Sequence, residues 1–160
     1  MTIADLPLVL SIQEECYSAE AIESEATIRA RLASSPNTAW VVEDDHGVCA
    51  YLVGYLSELG KVTPLGSHFE VAANPNSFYL HDLAVSRRAA SRSIGTKLVR
   101  MALDSAHRTG LPYSSLVSIQ DSLPFWFKHG YTTCTSLENL QRVHLDTSPG
   151  NATYLVRQLG

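Results

Sequence analysis

A chain of 160 residues, 45% hydrophobic and 18% charged, is one domain's worth of ordinary globular sequence and long enough to bury a substantial core. Its net charge of −4 argues against nucleic-acid binding, and its longest apolar stretches, such as Val48 to Leu56, are too short to span a bilayer. Residues 1–15 show no basic start followed by an apolar run, so no secretory signal is read and a cytoplasmic location is expected. The three cysteines are odd in number and never in a CxxC pair, and the six histidines lack HxxxH or HxH spacing. Neither a disulfide framework nor a metal site is expected.

Asp5-Leu6-Pro7 reads as a helix start, with Asp as N-cap and Pro in the first turn; Leu8, Val9, Ile12 and Cys16 follow at helical spacing. A second helix is expected after Ser24, with Ile28 and Leu32 inward and Arg29 and Arg31 outward, ended by Ser34-Ser35-Pro36-Asn37. Ala39 to Glu43 and Val48 to Ser57 read as an antiparallel hairpin about the turn Asp44-Asp45-His46-Gly47. The stretch Leu59 to Ser77, rich in Gly, Pro, Asn and Ser, is far longer than the usual connection of about 4–6 residues, which marks it as mobile or functional.

Phe78 to Val85 reads as the next strand. Ile94, Leu98, Met101, Ala102 and Ser105 then mark one face of a helix running to about Arg108 and stopped by Gly110. Tyr113 to Ile119 reads as a buried strand, Ser122 to His129 as a short helix, and Tyr131–Leu137 and Ala152–Leu159 as two final strands. The order αα-ββ-β-α-β-α-ββ predicts one α/β (α+β) domain over residues 1–160, built on a largely antiparallel sheet.

Chemistry concentrates where the strand ending at Val85 feeds the helix holding Gly95. Five of the twelve Lys and Arg residues (Arg87, Arg88, Arg92, Lys97 and Arg100) fall there, in an otherwise acidic chain. The loop is nearly all small: Ala89, Ala90, Ser91, Ser93, Gly95 and Thr96. A helix N-terminus offers unpaired N–H groups and a positive dipole end, and small residues admit close backbone approach, so the pattern suits a phosphate-bearing ligand.

The string Leu80-His81-Asp82-Leu83-Ala84-Val85, with Arg92-Ser93-Ile94-Gly95-Thr96-Lys97-Leu98 seven residues on, resembles motif A of the GNAT superfamily of acetyl-CoA-dependent N-acetyltransferases. Phe125-Trp126-Phe127-Lys128-His129-Gly130-Tyr131 is similar to the family's motif B, usually Phe-Tyr-x-x-x-Gly-Phe. The resemblance implies a GNAT-like acyltransferase fold of about six to seven mostly antiparallel strands flanked by about four helices, with acetyl-CoA as co-substrate and no metal. It also implies that backbone N–H groups of Ala90, Ser91, Arg92, Ser93, Ile94, Gly95 and Thr96 hold the pyrophosphate. Leu83, Ala84 and Val85 would pair with the pantetheine arm like an added strand, Leu83 N–H would polarise the thioester carbonyl, and Phe125 and Trp126 would flank the arm. Three positions depart from the family pattern. Ala90 stands where Gln or Arg is usual, Ser93 where the first loop Gly is usual, and only Met1 to Ala4 are available for the family's first strand.

Acetyl transfer to an amine requires the amine to lose a proton and the leaving thiolate to gain one. The family's Tyr acid falls at Trp126, whose indole N–H is no useful acid, so that role is not carried over. Within the superfamily the strand is most similar to the arylalkylamine (serotonin-type) N-acetyltransferases, whose His-x-His-x-Leu-Ala-Val has here Tyr79 and His81. Period-two alternation puts Tyr79 and His81 on one sheet face, making them the catalytic candidates, with His81 as base. Alternation sends Asp82 to the opposite face, towards the loop arginines. Tyr17, Glu23, Glu25 and Glu70 are weaker candidates for facing the amine. The implied function is acetylation of a small primary amine, an arylalkylamine or polyamine. A protein N-terminal or lysine acceptor and a non-catalytic acyl-CoA-binding module stand as alternatives, and the last two strands could pair across a homodimer.

Overall fold

The computed structural model describes residues 1–160. Its elements are α1 (Leu6–Cys16), α2 (Glu25–Ser34), β1 (Ala39–Asp44), β2 (Gly47–Ser57), β3 (Ser77–Val85), α3 (Ile94–Arg108), β4 (Tyr113–Ser118), α4 (Leu123–Lys128), β5 (Thr132–Thr133), α5 (Asn139–Leu145) and β6 (Thr153–Gln158). The six strands form one sheet in the order β1-β2-β3-β4-β6-β5. Every pairing is antiparallel except β3 with β4. No helix is long and apolar enough to cross a membrane.

The sheet divides the core in two. On one face Leu6, Val9 and Ile12 of α1 and Ile28 and Leu32 of α2 pack on Tyr51, Val53, Tyr55, Tyr79 and Ala84. On the other, Leu98, Val99, Ala102 and Leu103 of α3 and Trp126 of α4 pack on Ala50, Leu52, Phe78, Leu80 and Leu116. The inward stripe of α3 runs through Leu98, Val99, Ala102, Leu103 and Ala106, and Met101 faces solvent.

Two irregularities position the site. The parallel β3–β4 pairing covers only Ser77–Leu80 against Tyr113–Leu116. Beyond it the strands part, and Val117 and Ser118 pair only with β6. The second irregularity is a bulge in β3. Val53 faces Asp82 and Gly54 faces Leu80, leaving His81 as the extra residue. Gly54 permits this: a Cβ there would lie 2.5 Å from the Phe78 ring and 2.6 Å from the Tyr79 carbonyl.

The bulge overturns the expected placement of Asp82. An extra residue shifts the alternation by one, so Asp82 joins Tyr79 and His81 on the α1/α2 face, where it lies 2.5 Å from Tyr17 Oη and accepts from Tyr51. The loop arginines pair elsewhere, with Asp44 and Glu15. Arg31 is likewise inward, with its side chain only 2% exposed, because it shares the Ile28–Leu32 face at i+3 spacing; Arg29 is outward, paired with exposed Glu25. The strand expected over Tyr131–Leu137 shrinks to Thr132–Thr133, and the unexpected helix α5 follows. Gln141 and Leu145, four residues apart, form its inner face, and Leu137, four residues before Gln141, is buried just ahead of it. No strand precedes α1, and residues Ile3–Asp5 form a 3-10 turn.

Candidate active site

Where β3 and β4 part, a cleft of about 340 Å³ opens through the sheet. Its two ends differ in chemistry. Val85, Gly95, Ser122, Phe125 and Trp126 line one end, and Glu23, Thr63, Leu65, Tyr79, His81 and Ser148 line the other.

The first wall is mostly backbone. Ser86 N–H bonds Cys49 of β2, so by strand alternation Ala84 also turns its polar groups to β2 while Leu83 and Val85 turn theirs to the cleft. Ala84 thus contributes only a buried methyl to the core. The cleft-facing carbonyls are covered by the end of α1. Tyr17 Oη lies 3.0 Å from Leu83 O, and Cys16 Sγ 3.3 Å from Val85 O. The N–H groups of Leu83 and Val85, on the same edge, face the space between the strands.

The loop then turns into α3 through Ser91 (φ 66°) and Ser93 (φ 57°), both left-handed. Left-handed residues alternating with ordinary ones turn successive N–H groups inward to form an anion-binding nest, directly before the fifteen-residue helix α3. Ala90, Ser91, Arg92 and Ser93 are exposed, and Ile94, Gly95 and Thr96 are half-buried. A left-handed conformation costs a non-glycine residue roughly 1–2 kcal/mol. Asp44 fixes the loop from outside. It bonds Arg88 and lies 3.4 Å from Arg92, and the Arg88 bond pulls its carboxyl down to about 2. Glu15 accepts from Ser86 Oγ and Arg87 N–H. Gly95 keeps the wall open: a Cβ there would touch Val85 at 3.6 Å and Phe125 at 3.7 Å. Trp126 is buried, and its Nε1 donates to Ser122 Oγ at 3.2 Å.

The second wall is a side-chain network. Glu23 is clamped through its backbone by buried Gln13, which donates to Glu23 O at 2.9 Å and accepts from Glu23 N at 3.0 Å. Its carboxylate forms a buried ion pair with Arg31 and lies 3.0 Å from His81 Nε2. Burial pushes the Glu23 carboxyl up, but bonds from His81 and Arg31 outweigh it and hold the group well below the usual carboxylate range. Arg31 also donates to Ser67 O at 2.9 and 2.6 Å and lies over the Phe69 ring. His81 Nε2 is 2.8 Å from Arg31 Nη1 as well as 3.0 Å from Glu23 Oε2. Unprotonated, that nitrogen accepts from Arg31; protonated, it donates to Glu23. Tyr79 is 1% exposed, and burial pushes its phenol well above the usual value.

Residues 58–76 roof this end and are pinned along their length. Gly60 N–H donates to Tyr154 Oη, Val62 N–H to Gln141 Oε1, Leu65 N–H to Thr147 Oγ1 and Gly66 N–H to Glu23 Oε1, all between 2.7 and 2.9 Å. Of the weaker sequence candidates, Tyr17 and Glu23 reach the cleft, Glu25 is a surface group, and Glu70 lines a separate hollow beneath α5. Arg31, Gln13 and Asp82 were not foreseen here, although the helical spacing of Ile28, Arg31 and Leu32 carried a signal for the first.

The model of the acetyltransferase (GNAT) family matches residues 6–131, most of the chain. The chain belongs to the GNAT acetyltransferase family. No curated relative matches it in sequence. Among solved structures, the GphF GNAT-like decarboxylase in complex with isobutyryl-CoA superposes with a TM-score of 0.83 at 16% identity, covering 100% of this chain and 97% of that one. Ard1 from Thermoplasma volcanium gives 0.74 at 18% identity, covering 100% and 95%. The ribosomal-protein-S18-alanine N-acetyltransferase from Escherichia coli gives 0.69 at 13% identity, covering 100% and 91%. These likenesses establish the GNAT fold, here a six-stranded, mostly antiparallel sheet with five α-helices. Family membership makes the protein an acyltransferase enzyme.

Proposed function

We propose that the protein transfers the acetyl group of acetyl-CoA to the primary amine of a small-molecule acceptor in the cytoplasm, by direct attack of the amine on the thioester. One observation carries this reading. The cleft joins a free strand edge, bearing Leu83 and Val85, to a roofed chamber containing Glu23 and His81.

The pyrophosphate is held by the nest from Ala90 to Thr96, and the pantetheine arm runs along Leu83 and Val85 past the contacting rings of Phe125 and Trp126. Leu83 N–H is aimed at the thioester oxygen, where negative charge develops as the amine attacks. His81 takes the proton from the amine. Its Nε2 is already engaged by Arg31 and Glu23, so the proton arrives at Nδ1 while Nε2–H donates to Glu23, a carboxylate already in place to balance the new charge. Tyr79 positions the His81 ring, whose centroid lies 6.1 Å from its own. The roof favours a small acceptor over a folded protein, and the apolar Leu65 and Tyr79 beside Glu23 suit an arylalkylamine or a short polyamine.

Thiol release from acetyl-CoA, followed from pH 6 to 9, tests the base. His81→Ala is expected to lower kcat/KM by about 10²-fold. Unchanged kcat/KM across that range would remove His81 from the mechanism.

A further inference from the structure

The end of α1 brings a second proton-bearing group to the cleft. Tyr17 Oη lies 2.5 Å from Asp82 Oδ1 and 3.0 Å from Leu83 O, and Tyr51 donates to Asp82 Oδ2 at 2.7 Å. Tyr17, Asp82 and Leu83 all line the cleft. A phenol has one proton and cannot donate to both Asp82 and Leu83. Both contacts are satisfied together when the Asp82 carboxyl is protonated: Asp82 then donates to Tyr17 Oη, and Tyr17 donates to Leu83 O. Burial raises the Asp82 carboxyl despite bonds from both tyrosines, and burial together with Asp82 raises the Tyr17 phenol well above its usual range, so Tyr17 gives up a proton only as Asp82 replaces it. The other titratable groups facing this pair are Cys16 from α1, His81 from β3 and Glu23 from the α1–α2 connection.

The opposite wall supplies no comparable donor. Trp126 gives its indole N–H to Ser122, whose hydroxyl goes to Ile119 O at 2.7 Å. Tyr17, by contrast, is bonded to the same residue whose N–H faces the thioester, because in a strand the N–H and C=O of one residue point to the same edge.

We propose that Tyr17 gives the departing CoA thiolate its proton, with Asp82 behind it as the proton store; this rests on the acetyl-transfer reading above. The amine nitrogen bonds to the thioester carbon and its extra proton passes to His81. The C–S bond then breaks, leaving its electron pair on sulfur. Sulfur takes the Tyr17 hydroxyl proton as Tyr17 takes the proton of Asp82, and the proton held by His81 returns through solvent to Asp82. One proton leaves nitrogen and one reaches sulfur, so the cycle closes without an added acid.

Tyr17→Phe tests the step in the full-length protein with two acetyl donors, acetyl-CoA and S-acetyl-4-nitrothiophenol, whose leaving group needs no proton. With acetyl-CoA, kcat is expected to fall by about 10²-fold while calorimetric CoA affinity holds. With the activated thioester, the loss is expected to shrink to about threefold or less. Equal losses with both donors would overturn the proposal, since they would mean that the hydroxyl only shapes the cleft. Infrared spectra at pH 7 give an activity-independent check. A protonated-carboxyl band present in wild type and absent from Asp82→Asn is expected, and an ionised Asp82 would overturn the proton store. Failure of wild type to release CoA with any amine would fall on the transfer reading instead, and would take the relay with it.

Discussion

The two ends of the cleft are made from different materials. The end proposed for CoA is main chain: the edge of β3, a nest in the loop and the first turn of α3, bordered by small residues. The end proposed for the acceptor is side chain: Glu23 of the α1–α2 connection, Arg31 of α2 and His81 of β3, held under a roof by Gln13, Ser67 and Gly66. A backbone-built surface can bind the constant part of a substrate with almost any small residue in place. A side-chain network requires each partner, because a buried charge that loses its counter-ion is costly. In the proposed function the difference separates recognition of the shared cofactor from selection of the acceptor.

The largest expected effect breaks the acceptor end alone. Arg31→Met strands the Glu23 carboxylate, whose side chain is 4% exposed, and should cost about 3–5 kcal/mol in urea unfolding. A variant that still folds should keep its calorimetric affinity for acetyl-CoA while KM for the amine rises. If CoA affinity fell as far as acceptor affinity, the two ends would not be independent. The smaller effect sharpens the other side. Ser93→Gly relieves a left-handed serine, and should add about 1 kcal/mol of stability and tighten CoA several-fold with KM for the amine unchanged.

The same division governs what could be read from the sequence. The main-chain end is contiguous, so its strand, loop and helix start were legible as elements, as were the others from Ala39 to Ser118, although Ala84 turns its polar groups to β2 rather than to the cleft. The acceptor end is assembled from residues 13, 23, 31, 66–67 and 81, and no local pattern joins them. Asp82 was misplaced because alternation assumes a regular strand, and the bulge at His81 depends on Gly54 in a different strand. The helix after Leu137 was hidden by the expectation of a longer strand there, although Leu137, Gln141 and Leu145 keep helical spacing.

The central claim is that acetyl-CoA is consumed in this cleft by a small amine. The most direct measurement is CoA release by the wild-type protein with arylalkylamines and polyamines, set beside peptides offering a free N-terminus or a lysine. Turnover is expected with at least one small amine, with kcat/KM at least about tenfold below it for every peptide. Tight acetyl-CoA binding with no thiol release from any acceptor, or faster release with a peptide, would contradict it.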